Sequence, residues 1–87
     1  MDAEQKIIAK RALEEAISQA GNQSKFAAAM GVKQQSVSLW EQNGFVPAER
    51  VVDAEEATEA TGRRIARHKF RPDIFQGYSR ARRRVQS

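Results

Sequence analysis

Residues 23–44 read "QSKFAAAMGVKQQSVSLWEQNG". A glycine at position 31 separates two short amphipathic runs, and the second run carries glutamine and serine where a soluble helix ordinarily carries Glu and Lys. The first run predicts a helix from Gln23 to about Met30, with Asn22 as its N-cap and Phe26, Ala27 and Met30 on the inner face. Gly31 supplies a position open to positive φ. The second run predicts a helix from about Gln34 to Asn43, ended by Gly44. If Lys33 is its N-cap, Val32 and Val37 have the spacing of a hydrophobic staple. Two short helices joined by so tight a turn must cross steeply, with small residues (Ala27 and Gly31) at the crossing and Trp40 anchoring the second helix. Such a pair is a helix-turn-helix.

Projecting the second helix at about 100° per residue sorts its side chains. Ser36, Val37 and Trp40 fall on one side, predicted to be buried. Gln34, Gln35, Ser38 and Gln42 fall on the other, with Leu39 at its margin. This outward face is uncharged and rich in hydrogen-bonding groups. Glutamine can pair bidentately with adenine N6 and N7, serine can contact several base edges, and an apolar side chain can meet a thymine methyl. Leu39 reads equally well as a contact between subunits. The outward glutamines alone read as solvated surface; their coincidence with Gly31 and Val37 favours base reading. Trp40 reads as a core anchor.

The flanking sequence predicts further helices. Asp2 and Gln5 have capping-box spacing, opening a helix with Ala9, Ala12, Leu13, Ala16, Ile17 and Ala20 on one stripe and ending at Gly21. Ile7 and Ile8 straddle the edge of that stripe and are candidates for a subunit contact, as are Phe45 and the segment from Ile65 to Phe75. Pro47 suits the first turn of a fourth helix, predicted from Pro47 to about Thr61 with Val51, Val52, Ala54, Ala57 and Ala60 inward and Gly62 at its end. Beyond it, Ile65, Phe70, Ile74 and Phe75 are apolar anchors, and Pro72 biases Arg71 away from helical geometry. A short helical turn before an extended "RPDIF" is the preferred reading, with a short strand over Arg64–Phe70 as the rival. The expected fold is all-α, one domain over residues 1–76 followed by a basic tail at 77–87.

At 87 residues the chain is one small domain. It has no cysteine, which excludes a disulfide framework, a thiolate nucleophile and cysteine-ligated zinc. A single histidine, His68, leaves no nucleophile–histidine pairing or metal-ligand cluster in view, so neither catalysis, a metal nor a cofactor is expected. No apolar run approaches bilayer length and no leader is visible, so a cytoplasmic location is expected. The formal net charge of +4 hides a division. Residues 1–62 hold six lysines and arginines against ten acids, a net of −4; residues 63–87 hold nine against Asp73 alone, a net of +8. The basic end can attract phosphate by counterion release. Arg63, Arg64, Arg67, Lys69 and Arg71, and further on Arg80, Arg82, Arg83 and Arg84, are candidate flanking contacts. The first group can instead pair with Glu55, Glu56 and Glu59, and the last ten residues read equally as a solvated tail.

The spacing of Gln23, Ala27, Gly31, Val32 and Val37 resembles the helix-turn-helix of the Cro and phage-repressor group. The wider pattern "AISQAGNQSKFAAAMGVKQQSVSLWEQNGFVPAERV" followed by "RPDIF" is similar to the YdaS-like branch, Cro-like repressors often taken for antitoxins and commonly found in prophages. The resemblance spans roughly Leu13 to Phe75. It implies a compact four- to five-helix, lambda-repressor-like domain that binds double-stranded DNA. By that resemblance Gln34, Gln35 and Ser38 face bases with Leu39 beside them, Gln23 bonds a backbone phosphate, and Lys33 meets phosphate or an outer base; Gln42 is assigned to the backbone. A homodimer or higher oligomer on an inverted repeat is expected, because one short helix reads only a few base pairs. A toxin-binding module is the alternative. Two departures stand out: Lys33 occupies a position where the family commonly has a capping Ser or Thr, and "EEATEATGRRIARH" runs a few residues longer than the family's pattern.

Overall fold

The computed structural model describes residues 1–75 of the chain. They form six helices, with no strand among the described residues: α1 (Ala3–Ala20), α2 (Gln23–Met30), α3 (Gln34–Asn43), α4 (Val51–Thr61), α5 (Arg67–Phe70) and α6 (Pro72–Phe75), with a 3₁₀ turn over Ala48–Arg50 ahead of α4. The all-α expectation holds. The helix count exceeds the expected four to five because "RPDIF" is not extended: Arg71 alone leaves helical geometry, at φ −140°, ψ 74°, as the following proline favours, and Pro72 then starts α6. Arg67–Phe70 is a helical turn, which removes the rival strand.

The capping box at the start of α1 forms as predicted. The Asp2 side chain accepts from the Gln5 N–H at 2.8 Å, and the Gln5 side chain accepts from the Asp2 N–H at 3.1 Å. The stripe behind it buries Ala9, Ala12, Leu13 and Ala16, while Ile17 and Ala20 pack at the core's edge. Asn22 caps α2 by accepting from the Lys25 N–H. Gly31 sits at φ +73°, ψ 29°, a left-handed conformation that any side chain would strain. The turn it makes closes with Val32 N–H donating to the Ala27 carbonyl at 3.0 Å. Phe26, Ala27, Met30, Val37 and Trp40 then meet Leu13, Val46 and Val51 in one core.

The fourth helix departs from its predicted pattern. It begins at Val51 rather than Pro47, after the 3₁₀ turn. Val52 and Ala60, expected inward, are exposed, and two polar residues, Glu55 and Thr58, are buried in their stead. The cause is tertiary: residues 63–71 fold back over that side of α4 and supply the partners that polar groups need when buried. The Ile65 N–H donates to Thr58 Oγ1 at 2.9 Å, and the Arg67 N–H donates to Glu55 Oε2 at 2.9 Å. At the end of α1, the Gln19 amide donates to the Arg63 carbonyl at 3.0 Å and accepts from the Arg63 N–H at 3.2 Å. The unusually long junction after α4 is thus pinned at three points. Ile65 and Phe70 complete the core, whereas Ile74, expected as an anchor, is exposed.

Candidate nucleic-acid interface

The side of α3 away from Val37 and Trp40 is where the sequence places it. Gln34, Gln35 and Gln42 are exposed, Ser38 is half-buried, and Leu39 is 54% exposed. The helix carries one charge, Glu41, and that carboxylate accepts from the Gln23 side-chain amide. Gln23, assigned by resemblance to a phosphate, therefore also ties the first turn of α2 to the last turns of α3. The face left over is neutral, amide- and hydroxyl-bearing, with one apolar side chain at its edge. Lys33 is exposed at the N-cap position, and its side chain makes no capping hydrogen bond to the first N–H groups of α3. Of the first-turn N–H groups, that of Ser36 donates to the Lys33 carbonyl at 3.0 Å; a cation and a helix start without a side-chain cap both suit an anion.

The loop behind α3 is held from the far end of the chain. Arg71 grips Asp73 with two bonds, at 2.8 and 3.0 Å, and donates to the Val46 carbonyl at 3.1 Å. Its guanidinium lies 4.8 Å from the centre of the Phe45 ring, within cation–π range. Hydrogen bonding and charge from Arg71 hold the Asp73 carboxyl below its ordinary value. The loop that follows α3 is thereby tied to α6.

The basic cluster is placed differently from α3. Arg63, Arg64 and Lys69 line a cleft that contains no residue of α2 or α3. Two carboxylates engage its arginines. Arg63 meets Glu15 at 3.4 Å. Arg64 and Arg67 both meet Glu55, at 3.0 and 2.9 Å. Glu55 is only 3% exposed. Burial alone would push its carboxyl up, but the Arg67 N–H, the Arg67 guanidinium and Arg64 together outweigh that and hold it low. So the pairing with Glu55 that the sequence left open is realised for Arg64 and Arg67. Arg80, Arg82, Arg83 and Arg84 lie outside the described residues.

Lys6 and Lys10 are further cations near α3 that no motif in the sequence marks. They stand one turn apart on α1 and share a cleft with Gln42, Asn43 and Phe45 at the end of α3. Their i, i+4 spacing opposite the Ile8 side of α1 was a usable signal; nothing in the chain's local pattern said that α3 would end beside them. His68 is half-buried in the wall of the other cleft, with Nδ1 buried and unpaired. Among the described residues no group of three or more His, Cys, Asp or Glu is placed to hold a metal ion, and no helix is long and apolar enough to cross a membrane.

A family model described as "Bacterial toxin YdaS" matches residues 13–79, close to the span over which the sequence resembles that group. Its description names a toxin where the resemblance implied an antitoxin. No curated protein and no solved structure matches the chain.

Proposed function

As the chain belongs to the YdaS family, we propose that it is a sequence-specific double-stranded-DNA-binding regulator that acts by occupying an operator rather than by catalysis. The observation that carries this reading is the outward face of α3: Gln34, Gln35, Ser38 and Gln42, with Leu39 half out of the surface and no unengaged charge on the helix. A B-form major groove admits a helix of this width, and its edges offer the acceptor and donor pairs that carboxamides match. Gln35 reads an adenine, Gln34 and Ser38 read neighbouring edges, and Leu39 covers a thymine methyl. Lys33 and the first N–H groups of α3 take a phosphate, and Lys6 and Lys10 supply positive potential beyond its other end.

Two copies on an inverted repeat give the affinity that one short helix lacks, as in a Cro-like repressor of cytoplasmic DNA. The word toxin in the family's description names an effect on a cell. A duplex-binding protein that occupies host promoters produces such an effect, so the description and this reading are compatible. The alternative is a toxin-binding module that uses the apolar anchors Ile65, Phe70, Ile74 and Phe75. Ile65 and Phe70 lie in the core, which leaves the exposed Ile74 as the anchor open to such a partner.

The test is selection of bound duplexes from a random pool, followed by binding of the selected site across a salt series. A palindromic site and a steep fall in affinity with salt are expected. Gln35→Ala then lowers the preference for that site over unrelated duplex by about tenfold or more, the worth of one bidentate pair at ~1–3 kcal/mol. An unchanged preference removes Gln35 from base reading; the absence of any enriched site removes the proposal.

A further inference from the structure

A cleft of about 500 Å³ runs between α1 and the α5–α6 segment. Ile8, Arg11, Ala12 and Glu15 form one wall, and Ile65, His68, Lys69 and Pro72 form the other. The α1 set follows the spacing i, i+3, i+4, i+7, so that wall is a ridge of two helical turns, roughly 10 Å long; the other wall is built from Ile65 ahead of α5, from α5 itself and from the first residue of α6. Ala12, Ile65 and Pro72 are buried and give the cleft an apolar floor. Its rim is cationic, with Arg11, Lys69, Arg63 and Arg64 against Glu15 alone. Arg63 and Arg64 have the carboxylate partners already described. Arg11 and Lys69 show no ion pair among the described residues. On α1 this wall and the Lys6–Lys10 pair lie on opposite flanks of the buried stripe, so the cleft faces away from the end of α3.

The outward face of α4 has the converse character. Val52, Glu56, Glu59 and Ala60 are all exposed and stand at i, i+4, i+7 and i+8, one ridge of the same length. Val52, 40% exposed, is its apolar end. Asp53 sits at its edge, in an exposed ion pair with Arg50 at 3.5 Å. Within one molecule this acidic ridge cannot reach the basic cleft, because α5 docks against the opposite, inward side of α4 through Glu55 and Thr58.

We propose that a second copy of this chain seats the outward ridge of its α4 in the cleft between α1 and α5, with Val52 reaching the apolar floor and Glu56 and Glu59 meeting Arg11 and Lys69. The contact joins two unlike patches. It closes into a dimer if a two-fold axis repeats it, and otherwise propagates head to tail. Neither patch contains a residue of α2 or α3, so this inference stands or falls separately from base reading.

Charge reversal tests it, without DNA, by sedimentation of the full chain at low salt. Glu56→Lys with Glu59→Lys sets a basic ridge against a basic cleft. Arg11→Glu with Lys69→Glu sets an acidic ridge against an acidic cleft. Each double variant is expected to weaken self-association about tenfold or more, with its helical circular dichroism retained. An equimolar mixture of the two regains association, since each reversed patch then finds its complement. Glu14→Lys with Glu49→Lys makes the same charge change elsewhere and leaves association in place. A wild-type chain that stays monomeric, a mixture that fails to regain association, or equal weakening by the Glu14 and Glu49 pair overturns the proposal.

Discussion

Residues 22–44 and residues 63–75 pack on one core by different means. The first region docks through Phe26, Ala27, Met30, Val37 and Trp40, all apolar. The second docks through Ile65, Phe70 and Pro72 and through polar ties to Gln19, Glu55 and Thr58. Apolar docking leaves the polar side chains of α3 unspent, so an amide-rich face can stand in solvent ready for a ligand. Polar docking does the reverse. It engages Arg63, Arg64, Arg67 and Arg71, four of the five cations between Arg63 and Arg71, in holding the chain's own carboxylates and carbonyls. A run of arginines in a sequence is therefore a weak sign of phosphate binding where the chain's own carboxylates fold against it.

The comparison breaks most severely at Phe26. It is fully buried where α2 meets the core shared with Phe70, and Phe26→Ala is expected to cost about 3–5 kcal/mol in a urea melt. Amide exchange read in the same variant should show residues 63–75 loosening together with α2. Protection kept at Ile65 and Phe70 would mean that the two regions do not share one core.

A smaller effect is expected at Glu55. Glu55→Gln keeps the side chain's size and one acceptor but removes the charge facing Arg64 and Arg67. A loss of about 2 kcal/mol is expected, below the ~3–5 kcal/mol for leaving a buried charge wholly unpaired. The wild-type Glu55 carboxyl binds its proton less tightly in the folded chain than in the unfolded one. Its stabilisation is thus complete above the ordinary glutamate value and is lost as pH falls through the lower, folded-state value. Stability measured against pH should lose part of its acid limb in Glu55→Gln. Asp73, held low by Arg71, keeps the remainder. An unchanged limb would mean that Glu55 takes no part in the acid response.

Lys33 sharpens the contrast most gently. Serine there supplies the missing cap, and Lys33→Ser should stabilise the fold by about 0.5–1 kcal/mol. If Lys33 meets phosphate as proposed, the same variant lowers the salt slope of DNA binding by about one. A gain in stability with an unchanged slope would leave Lys33 a solvated end-cap and nothing more.

The local elements through α3 were legible because each rests on short-range chemistry. A carboxylate and an amide three residues apart cap α1 whatever lies elsewhere. A left-handed turn calls for a glycine at 31, and a 3.6-residue period sorts Val37 and Trp40 from Gln34 and Gln35. That same period misread α4, where Glu55 and Thr58 displace Val52 and Ala60 from the inner face. Burying a carboxylate is unfavourable until partners arrive, and those partners, Arg64 and Arg67, come from a segment that has no strong period of its own. Local pattern thus determined the helix-turn-helix and the chemistry it shows to solvent. Tertiary contact alone decided which charges are spent inside the molecule, because the cost of burying a charge depends on what folds back over it and not on its neighbours in the chain.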